Sequence, residues 1–498
     1  MEVELLGAID YNKLKKYLKE KHIHDYNEII NYINNLEKER RSCVVATAGG
    51  LSRFPGDVFE RLFKTENRTF EQNVNFIKKV ITMGHDSITD HDYCVFALKN
   101  ISAIIEQTII EERFSSFTIK SRREVDFSNV GYYIPNFHDQ YGNLISNNDE
   151  AKIKYQQHEE MLFKEYENLT KKGIDKEDAR FVLPYSYHSN IIMGVDAHTL
   201  KDMIIKYTKT KYSRISEIRE FGEKLYEIAK KNIPYIIDTI DKTPIKLSDP
   251  VDTYLESKIN YSNYKIIDKP LLINHSKNID DAIVIAAIMR RYQYSYDKTI
   301  KIYEEMCKTY PNFKEEMIKK IATESDQLEL TQINFEYQIP ISFAVLTHLT
   351  RHRTQHIMVP DFVPVVDLTQ YKVPPKIKNN YLNEYNNIFR KNIEMYEHFK
   401  NNYGIREEDL IYFTLSGNMV NVVTNMDGKT LAHILSLREC NKTQWETREM
   451  AHHLHQEIRN IPGAEIFSKN IGPKCETHGF CPEGKESCGK ILTLTNNK

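Results

Sequence analysis

Two segments of the chain begin with alternating apolar and polar residues and continue with apolar residues at helical spacing. They are residues 93–112 (YCVFALKNISAIIEQTIIEE) and residues 330–350 (LTQINFEYQIPISFAVLTHLT). Alternation places every second side chain on one face of a strand, whereas spacings of three and four share one face of a helix. Each segment therefore predicts a strand that leads directly into a helix. Helical spacing alone predicts further helices at residues 70–83, 151–172, 198–232, 279–321 and 430–459.

The order of these elements repeats along the chain. The two strand-then-helix segments end just before Arg113 and Arg353, and each is followed later by a polar helix. Equivalent positions lie roughly 230 to 240 residues apart, which indicates an internal duplication. A chain of 498 residues also exceeds what a single core usually contains. We therefore predict an α+β protein with an N-terminal repeat at 1–245, a connector at 246–275, a C-terminal repeat at 276–465 and a Cys-rich tail at 466–498.

Composition and charge indicate a globular protein without a strongly charged partner. The chain is 41% hydrophobic and 28% charged, its formal net charge is -2, and basic residues are not interleaved with aromatic ones. A nucleic-acid or membrane partner is therefore not expected. The N-terminal sequence (MEVELLGAIDYNKLKKYLKEK) lacks the apolar core of a signal peptide, and no stretch reaches the ~20 apolar residues of a membrane span. The cysteines, odd in number at 7, do not suggest a disulfide framework, so we predict a cytoplasmic location.

The first repeat carries three short motifs rich in polar and charged residues. They are GHDSITDH at residues 84–91, RFSSFTIKSRRE at residues 113–124 and ARFVLP at residues 179–184. These resemble motifs of flavin-dependent thymidylate synthases, namely Gly-His-x-Ser/Thr-x-x-Glu-His, Arg-His-Arg-x-x-Ser-x-x-x-x-Ser-x-Arg and Ala-Arg-x-x-Leu-Pro. The matching residues are Gly84, His85, Ser87, His91, Arg113, Ser116, Ser121, Arg123 and Arg180. Asp90 replaces the family's glutamate, and Glu111 and Glu112 replace the first two residues of the Arg-His-Arg triplet.

The second repeat has the residues that the first repeat lacks. Its triplet is intact, and the late helix (DGKTLAHILSLRECNKTQWETRE) is similar to the late helix of the family. The matching residues are His348, Arg351, His352, Arg353, Arg438, Gln444, Trp445, Glu446 and Arg448. In the first repeat the helix arginine is expected between Tyr207 and Lys209 and is absent. Conversely, Asp361 stands at the aligned serine position of the second repeat, and no Ala-Arg-x-x-Leu-Pro motif precedes Leu415.

The resemblance implies two tandem domains, each like the thymidylate synthase complementing protein, that share an active site. In this family one subunit of a homotetramer provides the serine loop and the Ala-Arg-x-x-Leu-Pro arginine. The neighbouring subunit provides the Arg-His-Arg triplet and the helix arginine. The present chain divides these same parts between its two repeats without overlap. Two chains are therefore expected to form a homodimer that imitates the tetramer.

The implied reaction is the reductive methylation of dUMP to dTMP, with methylenetetrahydrofolate as carbon donor, FAD as the flavin and NADPH as reductant. A phosphate dianion binds arginine forks, and Asp361 would repel it. The resemblance implies catalytic roles for Ser121 and Arg438, substrate binding by Arg123, Arg180, His348 and Arg351, and cofactor binding by Ser87, Arg351, His352 and Arg353. The alternative is a pseudoenzyme that keeps the fold and binds flavin or nucleotide as a scaffold or regulator.

The tail holds a cluster of cysteines in the sequence GPKCETHGFCPEGKESCGK. Cys475, Cys481 and Cys488 are separated by five and six intervening residues, and Cys440 lies on the predicted late helix just after Arg438. Four thiolates are a ligand set for structural zinc, and an iron–sulfur cluster is the variant of this prediction. Because the spacing is not that of a Cys-x-x-Cys knuckle, unliganded thiols are the alternative. With a metal, Cys440 would brace the helix that carries Arg438.

Overall fold

The computed structural model describes residues 26–491 except 53, 56, 259–264, 325 and 362–366, and it describes side chains from residue 38 onward except at 256. These residues fall into two compact units. The first unit combines the described residues of Met1–Lys120 and His188–Ile259, and the second unit combines those of Ser121–Tyr187 and Asn260–Lys498. Each unit contains helices and one antiparallel sheet, which confirms the predicted α+β class.

The first half of the chain provides the sheet of the first unit. The elements of this half are α1 (Tyr26–Leu51), α2 (Val58–Glu66), α3 (Phe70–Thr82), β1 (Tyr93–Ser102), α4 (Ala103–Ile110), β2 (Ser115–Ile119), α5 (Asn148–Lys171), α6 (Lys176–Ala179), β3 (His188–Asp196), α7 (Ala197–Lys209), α8 (Ser216–Asn232), α9 (Ile237–Lys242) and α10 (Pro250–Lys258). Short 3-10 helices cover Asp86–His91, Arg180–Val182 and Lys211–Arg214. The strands pair antiparallel in the order β1-β3-β2.

The second half repeats this order of elements. They are β4 (Leu271–His275), α11 (Ile279–Tyr292), α12 (Tyr296–Thr309), α13 (Phe313–Thr323), β5 (Asn334–Ser342), α14 (Phe343–Thr350), β6 (His356–Met358), α15 (Pro375–Asn380), α16 (Leu382–Asn402), α17 (Glu407–Leu410), β7 (Met419–Asp427), α18 (Gly428–Arg438), α19 (Trp445–Arg459), α20 (Glu465–Lys469) and α21 (Lys474–Thr477). Short 3-10 helices cover Leu328–Gln332, Ile411–Phe413 and Gly484–Glu486. The strand order is β4-β5-β7-β6. The strand β4 lies within the predicted connector and forms the edge of this sheet.

Both repeats fix the junction of strand and helix by the same contact. At the end of β1, Ser102 donates to Glu217 through its hydroxyl at 2.6 Å and through its backbone N–H at 3.0 Å. At the end of β5, Ser342 makes the equivalent bonds to Glu446, at 2.7 and 2.8 Å. All four residues are buried, so each carboxylate satisfies donors that would otherwise lose their hydrogen bonds to water. The repeated contact is what an internal duplication predicts.

The late helix of the second repeat is divided in the structure. The prediction of one long helix over residues 430–459 is wrong, because α18 ends at Arg438 and α19 begins at Trp445. Gln444 caps the new helix, since its side chain accepts the backbone N–H of Thr447 at 3.0 Å. Apolar spacing continues across the break and does not reveal it. No helix within the described residues is both long and apolar enough to cross a membrane.

Residues 121–187 follow the first repeat in sequence but belong to the second unit. There α5 packs on α16, its equivalent in the second repeat. His158 Nε2 lies 2.9 Å from Asn392 Oδ1, and the rings of Tyr155 and Phe413 are 5.5 Å apart in an edge-on contact. The compact units therefore do not coincide with the predicted repeats, because this segment buries its apolar face against the second repeat.

A close approach of two backbones depends on Gly417. Its backbone N–H donates to Phe181 O at 2.7 Å, and a Cβ atom at this position would lie 2.8 Å from the Phe389 ring and 2.9 Å from Phe181 O. Because a backbone oxygen held in this pairing has no room to move aside, we expect Gly417→Ala to lower the free energy of unfolding by about 1–3 kcal/mol. Urea denaturation measures this loss.

Gly50→Ala is the matched control for Gly417→Ala. Gly50 lies in α1, and a Cβ atom there would lie 3.7 Å from Arg61 Cδ, which is an ordinary contact. Alanine favours a helix over glycine, so this variant should be neutral or slightly stabilising. Equal stability of the two variants would contradict the close approach at Gly417.

Glu159 on α5 is a second feature of the second unit with a measurable consequence. The residue is fully buried, Ser186 Oγ donates to its Oε2 at 2.5 Å, and burial raises the pKa of the carboxyl group from 4.5 to about 8. The folded protein therefore keeps a proton that the unfolded chain releases, so this group lowers the stability as the pH rises from 4.5 to 8. Its largest slope is about 1.4 kcal/mol per pH unit.

Glu159→Gln should remove this pH-dependent loss, because the amide keeps an acceptor for Ser186 and carries no proton to release. The variant should therefore gain stability relative to the wild type between pH 5 and pH 8, as measured by urea denaturation at both values. Glu160→Gln, at the exposed neighbouring position, is the control and should follow the wild type. Parallel pH profiles for the wild type and Glu159→Gln would contradict the buried, protonated carboxyl group.

Candidate active site

Arg438, the last residue of α18, is held at two of its three guanidinium nitrogens. Its Nε donates to His352 Nε2 at 3.0 Å, and its Nη2 donates to the backbone oxygen of His348 at 2.9 Å. Its Nη1 has no hydrogen-bond partner among the described residues. Burial, Arg351 and Arg123 lower the pKa of Arg438 to about 10, which leaves the group charged at neutral pH. The side chain is thus fixed in orientation and keeps one edge for a ligand.

The two histidines beside Arg438 are neutral. Burial, followed by Arg438, His433 and Arg351, lowers the pKa of His352 to about 3. The unprotonated Nε2 of His352 can therefore accept the hydrogen bond from Arg438. Sequence reasoning assigned His352 to the flavin, but the structure buries it and uses its ring to orient Arg438. A direct flavin contact of His352 stays a prediction.

His348 lies among arginines of both repeats. Its Nδ1 is 3.0 Å from Thr447 Oγ1. Its pKa is lowered well below the usual range by burial and then, in order, by Arg180, Arg438, Arg351 and Arg122. Arg180 and Arg122 come from the first repeat, whereas Arg438 and Arg351 come from the second. The second unit therefore brings together the arginines that the sequence divides between the repeats.

Arg180 is a buried cation without a matching set of acceptors. Its side chain is 2% exposed, and its Nε donates to the backbone oxygen of Glu177 at 3.1 Å. Its Nη2 is buried and has no hydrogen-bond partner among the described residues. Burial and Arg122 lower the pKa of Arg180 to about 9, so the group remains protonated at neutral pH. A buried guanidinium nitrogen without an acceptor is costly unless a ligand completes it, which indicates an anion site.

Trp445 holds the segment that carries Arg180. Its indole Nε1 donates to Asp178 Oδ1 at 2.8 Å, and its ring stacks on Phe181 with centroids 6.1 Å apart. These contacts join the closing motif of the second repeat to the Ala-Arg-x-x-Leu-Pro motif of the first. Burial raises the pKa of Asp178, and the Trp445 hydrogen bond opposes that shift. Trp445 is thus a positioning residue for Arg180.

Ser121 and Arg123 lie at the start of the same segment. The Ser121 hydroxyl is half-buried and accepts the backbone N–H of Arg123 at 3.3 Å. The Arg123 guanidinium donates to Glu177 Oε2 at 2.7 Å. Arg123 also contributes to the lowered pKa of Arg438, and both residues belong to the second unit.

Arg122 is a site residue that sequence reasoning missed. It is buried, and its guanidinium carbon lies 5.2 Å from the centroid of the Tyr187 ring. It is one of the arginines that depress the pKa of Arg180 and of His348. The only sequence signal for it is its place between Ser121 and Arg123, because the family motif does not specify that position.

The first unit contains the equivalent of the His352–Arg438 pair in an altered form. Glu112 stands where the second repeat has His352, and Tyr207 stands where it has Arg438. Tyr207 donates its hydroxyl to Glu112 Oε1 at 3.2 Å, and Lys206 pairs with the same oxygen at 2.7 Å. Tyr207 thus replaces the arginine, and the charge of Glu112 is neutralised by Lys206. This arrangement leaves no unmatched positive charge for a nucleotide at that position.

The remaining predicted residues are placed as follows. Ser87 is exposed on the 3-10 helix Asp86–His91 of the first unit. Arg351 and Arg353 are exposed at the end of α14 in the second unit. One cavity in the second unit is lined by the four predicted metal ligands, Cys440, Cys475, Cys481 and Cys488. The structure therefore groups all the predicted residues in the second unit except Ser87.

Comparisons with known proteins identify the family of this chain. The profile of the thymidylate synthase complementing protein family matches residues 31–235 and 271–462, one match in each repeat. The flavin-dependent thymidylate synthase of Pyrococcus furiosus is 25% identical over 225 residues, which cover 43% of this chain and 88% of that protein. The flavin-dependent thymidylate synthase of Clostridium tetani is 27% identical over 217 residues, which cover 42% of this chain and 83% of that protein.

A solved structure also aligns with part of the chain. It is a UMP/dUMP methylase from Streptomyces cacaoi bound with 5-Br dUMP, with 20% sequence identity and a TM-score of 0.34. The alignment covers 40% of this chain and 90% of the methylase. The names of the sequence relatives agree with the predicted class of flavin-dependent methyltransferases, and the two profile matches confirm the predicted family and its tandem form.

Proposed function

Because this chain belongs to the thymidylate synthase complementing protein family, we propose that it methylates dUMP to dTMP at one composite site built by both repeats. The second unit contains every arginine of this site. In the reaction, dUMP, methylenetetrahydrofolate, NADPH and a proton give dTMP, tetrahydrofolate and NADP. The proposal rests on one observation: Trp445 of the second repeat donates to Asp178 Oδ1 at 2.8 Å and stacks on Phe181, which joins the late-helix motif to the Arg180 segment of the first repeat.

The nucleotide phosphate is assigned to the arginines of the first repeat. Arg180 has a buried nitrogen in need of an acceptor, and Arg122 and Arg123 add positive charge beside it. A phosphate dianion offers several acceptors and two negative charges, so it matches this cluster. Glu177 compensates part of this charge, because it accepts a hydrogen bond from Arg123 and opposes the lowering of the Arg180 pKa. Ser121, whose hydroxyl lies beside the Arg123 amide, orients the nucleotide.

The pyrimidine ring is assigned to Arg438. The ring must become electron-rich at C5 before it attacks the one-carbon unit, and a fixed cation near the ionised base stabilises that state. Arg438 meets this requirement because His352 and the His348 backbone hold its orientation before any ligand binds. Such preorganisation avoids a reorganisation cost during the reaction. Because His348 and His352 are neutral, Arg438 is the cation that stabilises the negative charge of the base.

The flavin is assigned to the exposed end of α14. Two arginines, Arg351 and Arg353, flank the buried ring of His352 there. Neighbouring guanidinium groups suit the pyrophosphate of FAD, so the residues present fit the cofactor. When bound, the flavin supplies the hydride that completes the methyl group, and NADPH restores it. A cofactor role of Ser87 is proposed from its sequence motif alone.

Two measurements on the purified protein test this function. We expect a yellow flavin spectrum and release of tritium from C5-labelled dUMP when methylenetetrahydrofolate and NADPH are supplied. Flavin binding without tritium release would favour the scaffold or regulatory alternative. Binding of neither flavin nor dUMP would contradict the composite site altogether.

We also propose that two chains associate as a homodimer, because four repeats would then imitate the homotetramer that the family resemblance implies. Light scattering should return a particle of twice the chain mass of 58.6 kDa. Dilution should not dissociate it in the range used for the activity assay. A monomer that is fully active would contradict this assembly.

A further inference from the structure

Four of the seven cysteines meet at one place in the second unit. Cys440, Cys475, Cys481 and Cys488 all line a single small cavity of about 20 Å³. They come from positions up to 48 residues apart, on the loop after α18, on α21 and on the segments that follow it. A cavity of this size suits one small occupant rather than an organic cofactor.

The cysteine segment is anchored beside Arg438. Glu439, the residue after Arg438, is buried and accepts hydrogen bonds from His455 Nδ1 at 2.9 and 3.0 Å. His455 Nε2 in turn lies 2.7 Å from the backbone oxygen of Ser468. Gly472 packs so closely that a Cβ atom there would lie 3.2 Å from Glu439 Oε2. The residues on both sides of the cavity are therefore held in place by contacts that do not involve the thiols.

The Cys488 thiol lies against the loop after α18. Asn441 Nδ2 lies 3.7 Å from Cys488 Sγ, which ties the last cysteine to the residue after Cys440. All four cysteines are unpaired by disulfides. No three of their sulfur atoms lie within 4.8 Å of one another, so the structure holds the four side chains around the cavity without closing them on a common centre.

We propose that this cavity binds one Zn²⁺ through the thiolates of Cys440, Cys475, Cys481 and Cys488. Tetrahedral coordination with Zn–S distances of about 2.3 Å brings sulfur atoms to about 3.8 Å from one another. Binding therefore requires side-chain rotations that bring the sulfur atoms together, and the free energy of zinc–thiolate binding exceeds the cost of such rotamer changes. Binding forms four Zn–S bonds and releases the thiol protons to solvent, with no change of oxidation state. The metal then clamps the tail to the loop that follows Arg438.

The metal content of the purified 498-residue chain tests the proposal, and this measurement does not depend on activity. Protein prepared without a metal-affinity tag should contain one zinc per chain. Cobalt substituted for zinc should show the visible bands of tetrahedral Co²⁺ and thiolate-to-metal absorption in the near ultraviolet. The double variant Cys475→Ser with Cys488→Ser should lose the metal, whereas Cys307→Ser, a half-buried cysteine away from the cavity, should keep it.

If the double variant does not fold, alkylation of the wild-type cysteines tests the zinc site instead. The four cavity thiols should resist iodoacetamide until zinc is removed, while the labelling of Cys94 and Cys307 should not change with zinc. Protein without zinc and with all four thiols reactive would overturn the proposal, as would a disulfide between any two of them or bound iron with the absorption of an iron–sulfur cluster. Zinc present in a catalytically silent protein would uphold this site and contradict only the proposed methylation.

Discussion

Arg438→Gln is expected to lower kcat for tritium release from C5-labelled dUMP at least about 100-fold, as for the loss of one preorganised donor to a developing anion. Glutamine carries no charge. It also cannot donate to His352 and to the His348 backbone oxygen at the same time, as the Nε and Nη2 atoms of Arg438 do. The binding of dUMP should change much less than kcat, because its phosphate is assigned to other residues. Measurement of kcat and KM under saturating folate and NADPH separates the two effects.

Two further variants show whether the effect depends on the guanidinium group of Arg438 in particular. Arg438→Lys keeps the charge but loses the fork, so it should recover little activity. Arg390→Gln removes an exposed arginine of α16 that pairs with Glu394, and it should leave kcat unchanged. If Arg438→Gln stays within threefold of the wild type, Arg438 is not the residue that stabilises the ionised base.

Arg180→Met is expected to weaken dUMP binding about 100-fold, which corresponds to the loss of one buried partner in a charged pair. The same change should leave the melting temperature of the ligand-free protein unchanged or raise it. The reason is that Arg180 is buried and repelled by Arg122, and apolar replacement of such a charge is often neutral or stabilising. Calorimetric titration with dUMP and thermal melting without ligand measure the two effects. Deoxyuridine without phosphate should bind both proteins equally.

Arg406→Met is the matched control, because Arg406 is a structural arginine of the same unit. It binds Asp409 through two hydrogen bonds of 3.0 Å, and Asp409 is buried. Its loss leaves a buried carboxylate short of a partner and should lower the melting temperature without affecting dUMP. If Arg180→Met behaves like Arg406→Met, Arg180 is a structural salt-bridge residue, and the interpretation as a decayed pseudoenzyme gains support.

Local sequence patterns were sufficient to predict the building blocks of this protein. Alternation followed by helical spacing predicted β1 with α4 and β5 with α14, because the side chains that face the core are set by neighbours in the chain. The duplication was predicted from the same patterns repeated at a distance. The motif losses were also visible, since an arginine missing between Tyr207 and Lys209 or a triplet that begins with Glu111 needs no structure to be noticed.

Packing between distant residues determined the rest. The placement of 121–187 in the second unit depends on contacts such as His158 with Asn392, which are 234 positions apart and leave no periodic signal in either segment. The same holds for the Trp445 bond to Asp178. Only packing shows that His352 orients Arg438 instead of facing solvent. Charge patterns in sequence give the number of arginines, whereas burial and mutual distance decide which of them lack a partner and so form an anion site.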